Sequence, residues 1–98
     1  MTRYIYKENG NETAQLFVDE KNYIAFVYTP PTWRRKGHAL ALIEKAKAEH
    51  EELAARVAFN NDASNALFKK AGFSLASTDA ERREYRYNWK KEVETNEK

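Results

Sequence analysis

Two short segments carry residue types whose spacing could do chemistry. The first is Pro31-Thr32-Trp33-Arg34-Arg35-Lys36-Gly37-His38-Ala39, where three cations stand directly ahead of a glycine and a helical repeat. The first N–H groups of a helix have no intrahelical acceptor, and the helix dipole adds about half a positive charge at that end. Gly37 would let a ligand approach the backbone closely, so the segment suits a bound anion, with Arg34, Arg35 and Lys36 reinforcing it. Read as structure alone, the same residues are a glycine that starts a helix behind a solvated basic loop. His38 reads as a loop residue or a ligand contact rather than as a catalytic group. The second segment is Asn61-Asp62-Ala63-Ser64-Asn65-Ala66-Leu67-Phe68-Lys69-Lys70-Ala71-Gly72-Phe73, a capped helix ending in glycine with Phe68 and Phe73 in the core. Glu8, Glu12 and Glu20 are candidate bases, although each also reads as ordinary surface charge. His50 reads as helix surface. A glycine-flanked serine elbow, a metal-spaced histidine pair and a dinucleotide fingerprint are all missing from the sequence.

Positioning these segments requires a sheet and two helices. Tyr4 and Tyr6 alternate with Ile5, and Asn9-Gly10 is the dipeptide that a tight hairpin turn prefers. These features predict a strand at 3–8. Ala14, Leu16 and Val18 then share one face of a strand at 13–19, and polar Glu20-Lys21-Asn22 turns the chain into a third strand at 23–29. Pro30-Pro31 ends it, since proline cannot donate to a ladder. From Gly37 the period changes, with Ala39, Leu42, Ile43 and Ala46 recurring at helical spacing up to about residue 50. Residues 53–59 read as a short buried strand. A second helix follows, carrying Ala63, Ala66, Leu67 and Ala71, and Gly72 ends it. Residues 73–77 and 84–89 complete the pattern as a strand pair, the latter with Tyr85, Tyr87 and Trp89 on one face. The expected architecture is α+β, a single mixed sheet in the order βββ-α-β-α-ββ with helices packed on it. One domain at 1–91 and a frayed polar tail at 92–98 account for the chain.

Composition bounds what such a domain can do. Ninety-eight residues hold one core without a large internal cavity, so a ligand belongs in a cleft or on the surface. Hydrophobic residues at 42% and aromatics at 13% suffice for that core. Seventeen basic and fifteen acidic side chains leave a net charge of +2, too small to drive nucleic-acid binding without a local patch. The absence of cysteine excludes disulfides, thiolate metal sites and a cysteine nucleophile. No leader-like apolar run or membrane span is present, and a cytoplasmic location is the expectation.

Taken together, the two segments resemble the GNAT superfamily of acyl-CoA-dependent N-acetyltransferases. The family's first motif, V-x-P-x-x-R-x-x-G-x-G/A, is matched by Pro31, Arg34, Gly37 and Ala39, with Thr29 in the valine place. Its second, N-x-x-A-x-x-L-Y-x-K-x-G-F, is similar to Asn61, Leu67, Lys70, Gly72 and Phe73, with Ser64 at the small position and Phe68 where tyrosine is usual.

The resemblance implies that 34–39, including Arg35, Lys36 and His38, wraps the pyrophosphate of acetyl-CoA. It implies that backbone groups at Tyr28 and Thr29 polarise the thioester. Asn61 would hydrogen-bond the pantetheine arm, and Phe68 would face the cofactor. The cofactor would enter where strand 23–29 splays from strand 53–59. Acetyl-CoA is the implied co-substrate, with no metal, and an amine is the acceptor.

Two departures bear on activity. Phe68 cannot protonate a leaving thiolate as a tyrosine would. The sequence also reads as a short form without the strand and two helices that precede the meander in full-length members, which would leave the acceptor side open to a protein lysine or peptide N-terminus. A neutral lysine is present in only about one molecule in 2,500 at pH 7, so an active enzyme also needs a base or a water chain. The competing function is a degenerate module that binds an acyl-CoA or a protein partner without turnover. Nucleic-acid binding through Trp33, Arg34, Arg35 and Lys36 is disfavoured by the balanced charge, and a homodimer is an allowed assembly.

Overall fold

The apolar alternation of the N-terminal third builds a three-stranded antiparallel meander, β1 (Thr2–Glu8), β2 (Asn11–Val18) and β3 (Tyr23–Tyr28). The computed structural model describes residues 1–34 and 37–92, so the expected tail lies almost wholly outside the described residues. Asn9 and Gly10 both take positive φ, 53° and 82°, and join β1 to β2 through the two-residue turn that their types favour. After Pro30 the chain makes one 3-10 turn at Pro31–Trp33 and then enters α1 (His38–Glu49). β4 (Glu52–Ala58), α2 (Asp62–Lys70), β5 (Ser74–Asp79) and β6 (Glu84–Lys90) follow in the order the sequence predicts. The six strands form one sheet in the order β1-β2-β3-β4-β6-β5, with β3 and β4 its parallel pair and the other neighbours antiparallel.

Both helices cover the same face of this sheet. Tyr4, Leu16, Val18, Ile24, Leu53, Ala55, Val57 and Tyr87 point inward from the strands and share one buried cluster with Leu42, Ile43 and Ala46 of α1 and Phe68 and Ala71 of α2. Burying each large aliphatic or aromatic side chain in such a cluster contributes about 1.5–3 kcal/mol. The helices are also joined to each other: Lys47 Nζ donates to the Ala71 carbonyl at 2.8 Å and lies 5.2 Å from the Trp89 ring centre. The α2 face that turns inward differs from the alanine-based expectation. Asn65, Phe68 and Ala71 are buried, whereas Ala63 and Ala66 are exposed, because the large Phe68 ring fixes the helix rotation against Phe73 and Tyr87. β5 is exposed along its whole length, as an edge strand beyond the helices must be.

Asn65 ties the end of β4 to the start of α2. Its Nδ2 donates to the carbonyls of Asn61 at 2.9 Å and Ala58 at 3.1 Å, and its Oδ1 accepts from the Tyr87 hydroxyl at 2.7 Å. Asparagine is a poor helix former, so its place inside a helix is explained by these bonds rather than by propensity. Asn65→Leu is expected to strand these buried polar partners and lower the unfolding free energy by about 3 kcal/mol, measured by urea denaturation. A loss of under about 1 kcal/mol would show that Asn65 does not hold this junction.

A second buried polar contact sets an alkaline limit. Tyr4, 5% exposed, donates its hydroxyl to Glu49 Oε1 at 2.7 Å. Burial, and then the neighbouring carboxylate, push the phenol up from 10.0 to about 12. The fold therefore holds this proton more tightly than the unfolded chain does. The resulting stability is fully present below about pH 10 and is lost as pH rises toward 12. Melting temperatures of the native chain and Tyr4→Phe, followed from about pH 9 to pH 12, should converge as pH rises. Parallel curves would remove Tyr4 from the alkaline transition.

Candidate active site

The parallel ladder between β3 and β4 is short. It pairs Tyr23 with Ala54 and Ile24 with Ala55 and stops there, although β3 runs on to Tyr28 and β4 to Ala58. The cause lies on the other side of β3. Phe17 pairs with Phe26 and Val18 with Ile24, so Ala25 is an extra residue, a bulge immediately after the last pair with β4. A bulge bends its strand and increases local twist, and here it turns the remainder of β3 away from β4. The two strands consequently open into a gap at their C-terminal ends.

Each of these ends leads into a helix, so two helix N-termini face the end of the sheet where the gap opens. At α1 the N-cap is Gly37, with φ 81° and ψ 7°, which has no side chain to accept from the first amides. The first intrahelical bond runs from the Ala41 N–H to the Gly37 carbonyl at 2.9 Å, so the amides before Ala41 precede the ladder. Among the described residues, a Cβ at Gly37 would meet no atom within 4 Å, so they leave the space in front of it open. Left-handed φ strains an L side chain, so glycine serves the backbone conformation here as well as close approach.

Arg34 is held beside this opening. Its Nε donates to the Thr29 carbonyl at 3.0 Å, which fixes the guanidinium against the end of β3. Tyr28, the last residue of β3, is 44% exposed. Arg35 and Lys36, the other two cations of the segment, lie outside the described residues. His38 departs from a simple loop role. Its side chain is 6% exposed, stacks on Tyr6 with ring centres 4.1 Å apart, and brings Nε2 to 3.4 Å from Glu8 Oε1. His38 therefore anchors the start of α1 to β1, while Ala39 next to it is partly exposed.

At the other helix, Asn61 caps α2 by accepting from the Ser64 N–H at 3.1 Å, which leaves its amide nitrogen as the group a ligand could use. Phe68 is 2% exposed, with its ring 5.2 Å from Phe73 and 6.1 Å from Tyr87. The core role read from the sequence thus describes its surroundings. Among the candidate bases, Glu8 is paired with His38 as described. Glu12 lies 3.6 Å from Arg3 and accepts from Gln15 at 3.4 Å. Glu20 sits on the turn between β2 and β3, at the opposite end of the sheet from the gap. His50 contacts the Ala46 carbonyl at 2.9 Å and finishes α1.

Sequence reading expected strand 23–29 to splay from strand 53–59 and missed the bulge at Ala25 that causes it. The run Tyr-Ile-Ala-Phe-Val-Tyr is hydrophobic throughout, and only the three-residue step between inward Ile24 and inward Val27 betrays the extra residue.

The fold and the motif segments match known proteins. A model of the acetyltransferase (GNAT) family matches residues 5–73. A GNAT-family acetyltransferase from Bacillus cereus superposes with a TM-score of 0.83 at 19% identity, over 93% of this chain and 71% of that one. The ribosomal-protein-S18-alanine N-acetyltransferase of Escherichia coli gives 0.69 at 23% identity, over 89% and 65%. The NatB acetyltransferase complex bound to CoA gives 0.66 at 15% identity, over 88% and 69%. The chain thus spans about two thirds of the length of these structures. No curated protein was found to match it in sequence. With its family model covering more than half of the chain, and the gap between β3 and β4 beside the glycine-started N-terminus of α1, this protein belongs to the GNAT acetyltransferase family.

Proposed function

We propose that the chain is an acetyl-CoA-dependent N-acetyltransferase whose acceptor is an amine on a polypeptide, a lysine or an N-terminus. The observation that carries this reading is the glycine-started N-terminus of α1 beside the gap that the Ala25 bulge opens. The pyrophosphate would sit at the amides of 37–40, where backbone N–H groups and the helix dipole favour an anion, with Arg34 beside it. The pantetheine arm would lie along the unpaired edge of β3, and Asn61 would reach it from the start of α2. Backbone amides toward Tyr28 and Thr29 would then polarise the thioester carbonyl.

In the reaction the acceptor nitrogen attacks the thioester carbon and a C–N bond forms. The carbon–sulfur bond breaks, the nitrogen gives up a proton to a base or to water, and the thiolate of CoA takes one up. The acceptor reading follows from the sheet's other face, which no helix covers among the described residues. An extended polypeptide can reach the gap from there. A second reading, binding without turnover, is favoured by one observation: Phe68 is buried in the core, and no phenol stands in its place to protonate the thiolate.

Replacing Arg34 and Lys36 together by glutamate is expected to abolish CoA binding in calorimetry and leave the circular dichroism spectrum unchanged. Unchanged affinity would remove the 34–39 segment from the site. Phe68→Tyr separates the two readings of that position. A phenol within reach of the sulfur should raise turnover, by up to about 100-fold, as judged from thiol release. A phenol placed in the core instead lowers stability by about 1–3 kcal/mol with no gain in rate, which would exclude Phe68 from the chemistry. Mass spectrometry of candidate polypeptides, with and without acetyl-CoA, tests transfer directly. Tight CoA binding without any acetylated product would support the non-catalytic reading.

A further inference from the structure

The uncovered face of the sheet holds a cationic cluster next to the gap. Arg56 on β4 and Arg86 on β6 are directly opposed across the antiparallel ladder, and both are exposed. Like charges directly opposite each other destabilise a sheet. Both guanidinium groups nonetheless converge on one ring, lying 5.0 Å and 5.4 Å from the centre of Tyr23. Among the described residues neither arginine forms an ion pair. Position adds to the argument, because Tyr23 pairs with Ala54, and Arg56 immediately follows Ala55, the last residue of β4 joined to β3. The cluster therefore stands where the gap begins, on the face opposite the helices.

We propose that Arg56 and Arg86, stacked on Tyr23, form a docking site for a single carboxylate side chain of an extended polypeptide segment. This inference rests on the acetyl-transfer reading in one respect: the segment would belong to the acceptor and bring its amine to the gap. Two guanidinium forks with charge left unpaired offer the planar donor geometry that a carboxylate matches. Stacking on Tyr23 fixes their planes, so less freedom is lost when the ligand binds. A nucleic acid fits less well. Asp79 and Glu84 line the same shallow hollow as Arg56, Arg86, Ser77 and Tyr85, and they would repel a continuous track of phosphates. An isolated carboxylate can settle between the arginines and avoid them.

The test is fluorescence anisotropy with a labelled, extended peptide carrying a single glutamate and one lysine, its glutamine counterpart, and a single-stranded oligonucleotide. The glutamate peptide should bind at least about tenfold more tightly than the glutamine peptide, weaken with added salt, and lose about tenfold in affinity in Arg56→Gln and independently in Arg86→Gln. Each variant should keep or slightly raise its melting temperature, because it relieves a like-charge opposition. Equal binding of the two peptides, tighter binding of the oligonucleotide, or unchanged peptide affinity in both variants would overturn the proposal. Calorimetry with CoA on the same proteins separates the two levels. Arginine-dependent peptide binding without CoA binding would sink the acetyl-transfer reading and retain the docking site, whereas CoA binding without peptide discrimination would do the reverse.

Discussion

Everything at the candidate site depends on how few hydrogen bonds join β3 to β4. Had the parallel ladder continued to Tyr28 and Ala58, the sheet would be closed and its C-terminal edge would offer only loops. One extra residue at Ala25 prevents this by putting β3 out of step with β2 and bending it away from β4. The bend leaves the β4-facing edge of β3 beyond Ile24 without a strand partner, so its backbone polar groups must find other partners there. The fold tolerates them because they lie at the open end of the sheet, while Val18, Ile24 and Ala55 keep the closed end packed.

The start of α1 is the complementary constraint. A helix whose first residue were capped by serine or aspartate would have its amides satisfied internally. Gly37 supplies a left-handed turn and no capping side chain of its own, so the amides remain directed at the opening. α2 is built the other way, with Asn61 as a side-chain cap and Asp62 in its first turn. Two helices at the same end of one sheet therefore offer different electrostatic environments, one suited to an anion and the other to a neutral amide. His38 gives the first of them rigidity, since its ring is clamped between Tyr6 and the carboxylate of Glu8.

Much of this was legible in the sequence, for reasons that differ by element. The Asn9-Gly10 turn, the prolines after β3, the helical repeat of α1 and the Gly72 stop each have a local physical cause, and local causes survive reading in one dimension. The two motif segments were readable because residue type and spacing both matter there. Three features were less so. The bulge at Ala25 is hidden in a run where every side chain is apolar. The rotation of α2 was readable only in part: Phe68 and Ala71 are buried as expected, but Ala63 and Ala66 are exposed, because the large Phe68 ring and the polar Asn65 set the rotation through contacts with β6. The depth of His38 depends on β1, which lies far away in the sequence and only one side chain away in space.

The sheet can also be seen as two three-stranded plates. β1, β2 and β3 form one, and β4, β6 and β5 form the other, each held by long antiparallel ladders. The seam between them is the two-residue parallel ladder, backed by α1 and by the strut from Lys47 to the carbonyl of Ala71. A plate rotating about so short a seam changes the width of the gap far more than it disturbs either plate. A molecule wedged into the gap would thus act as a keystone, bracing the plates from the end where they are not otherwise joined.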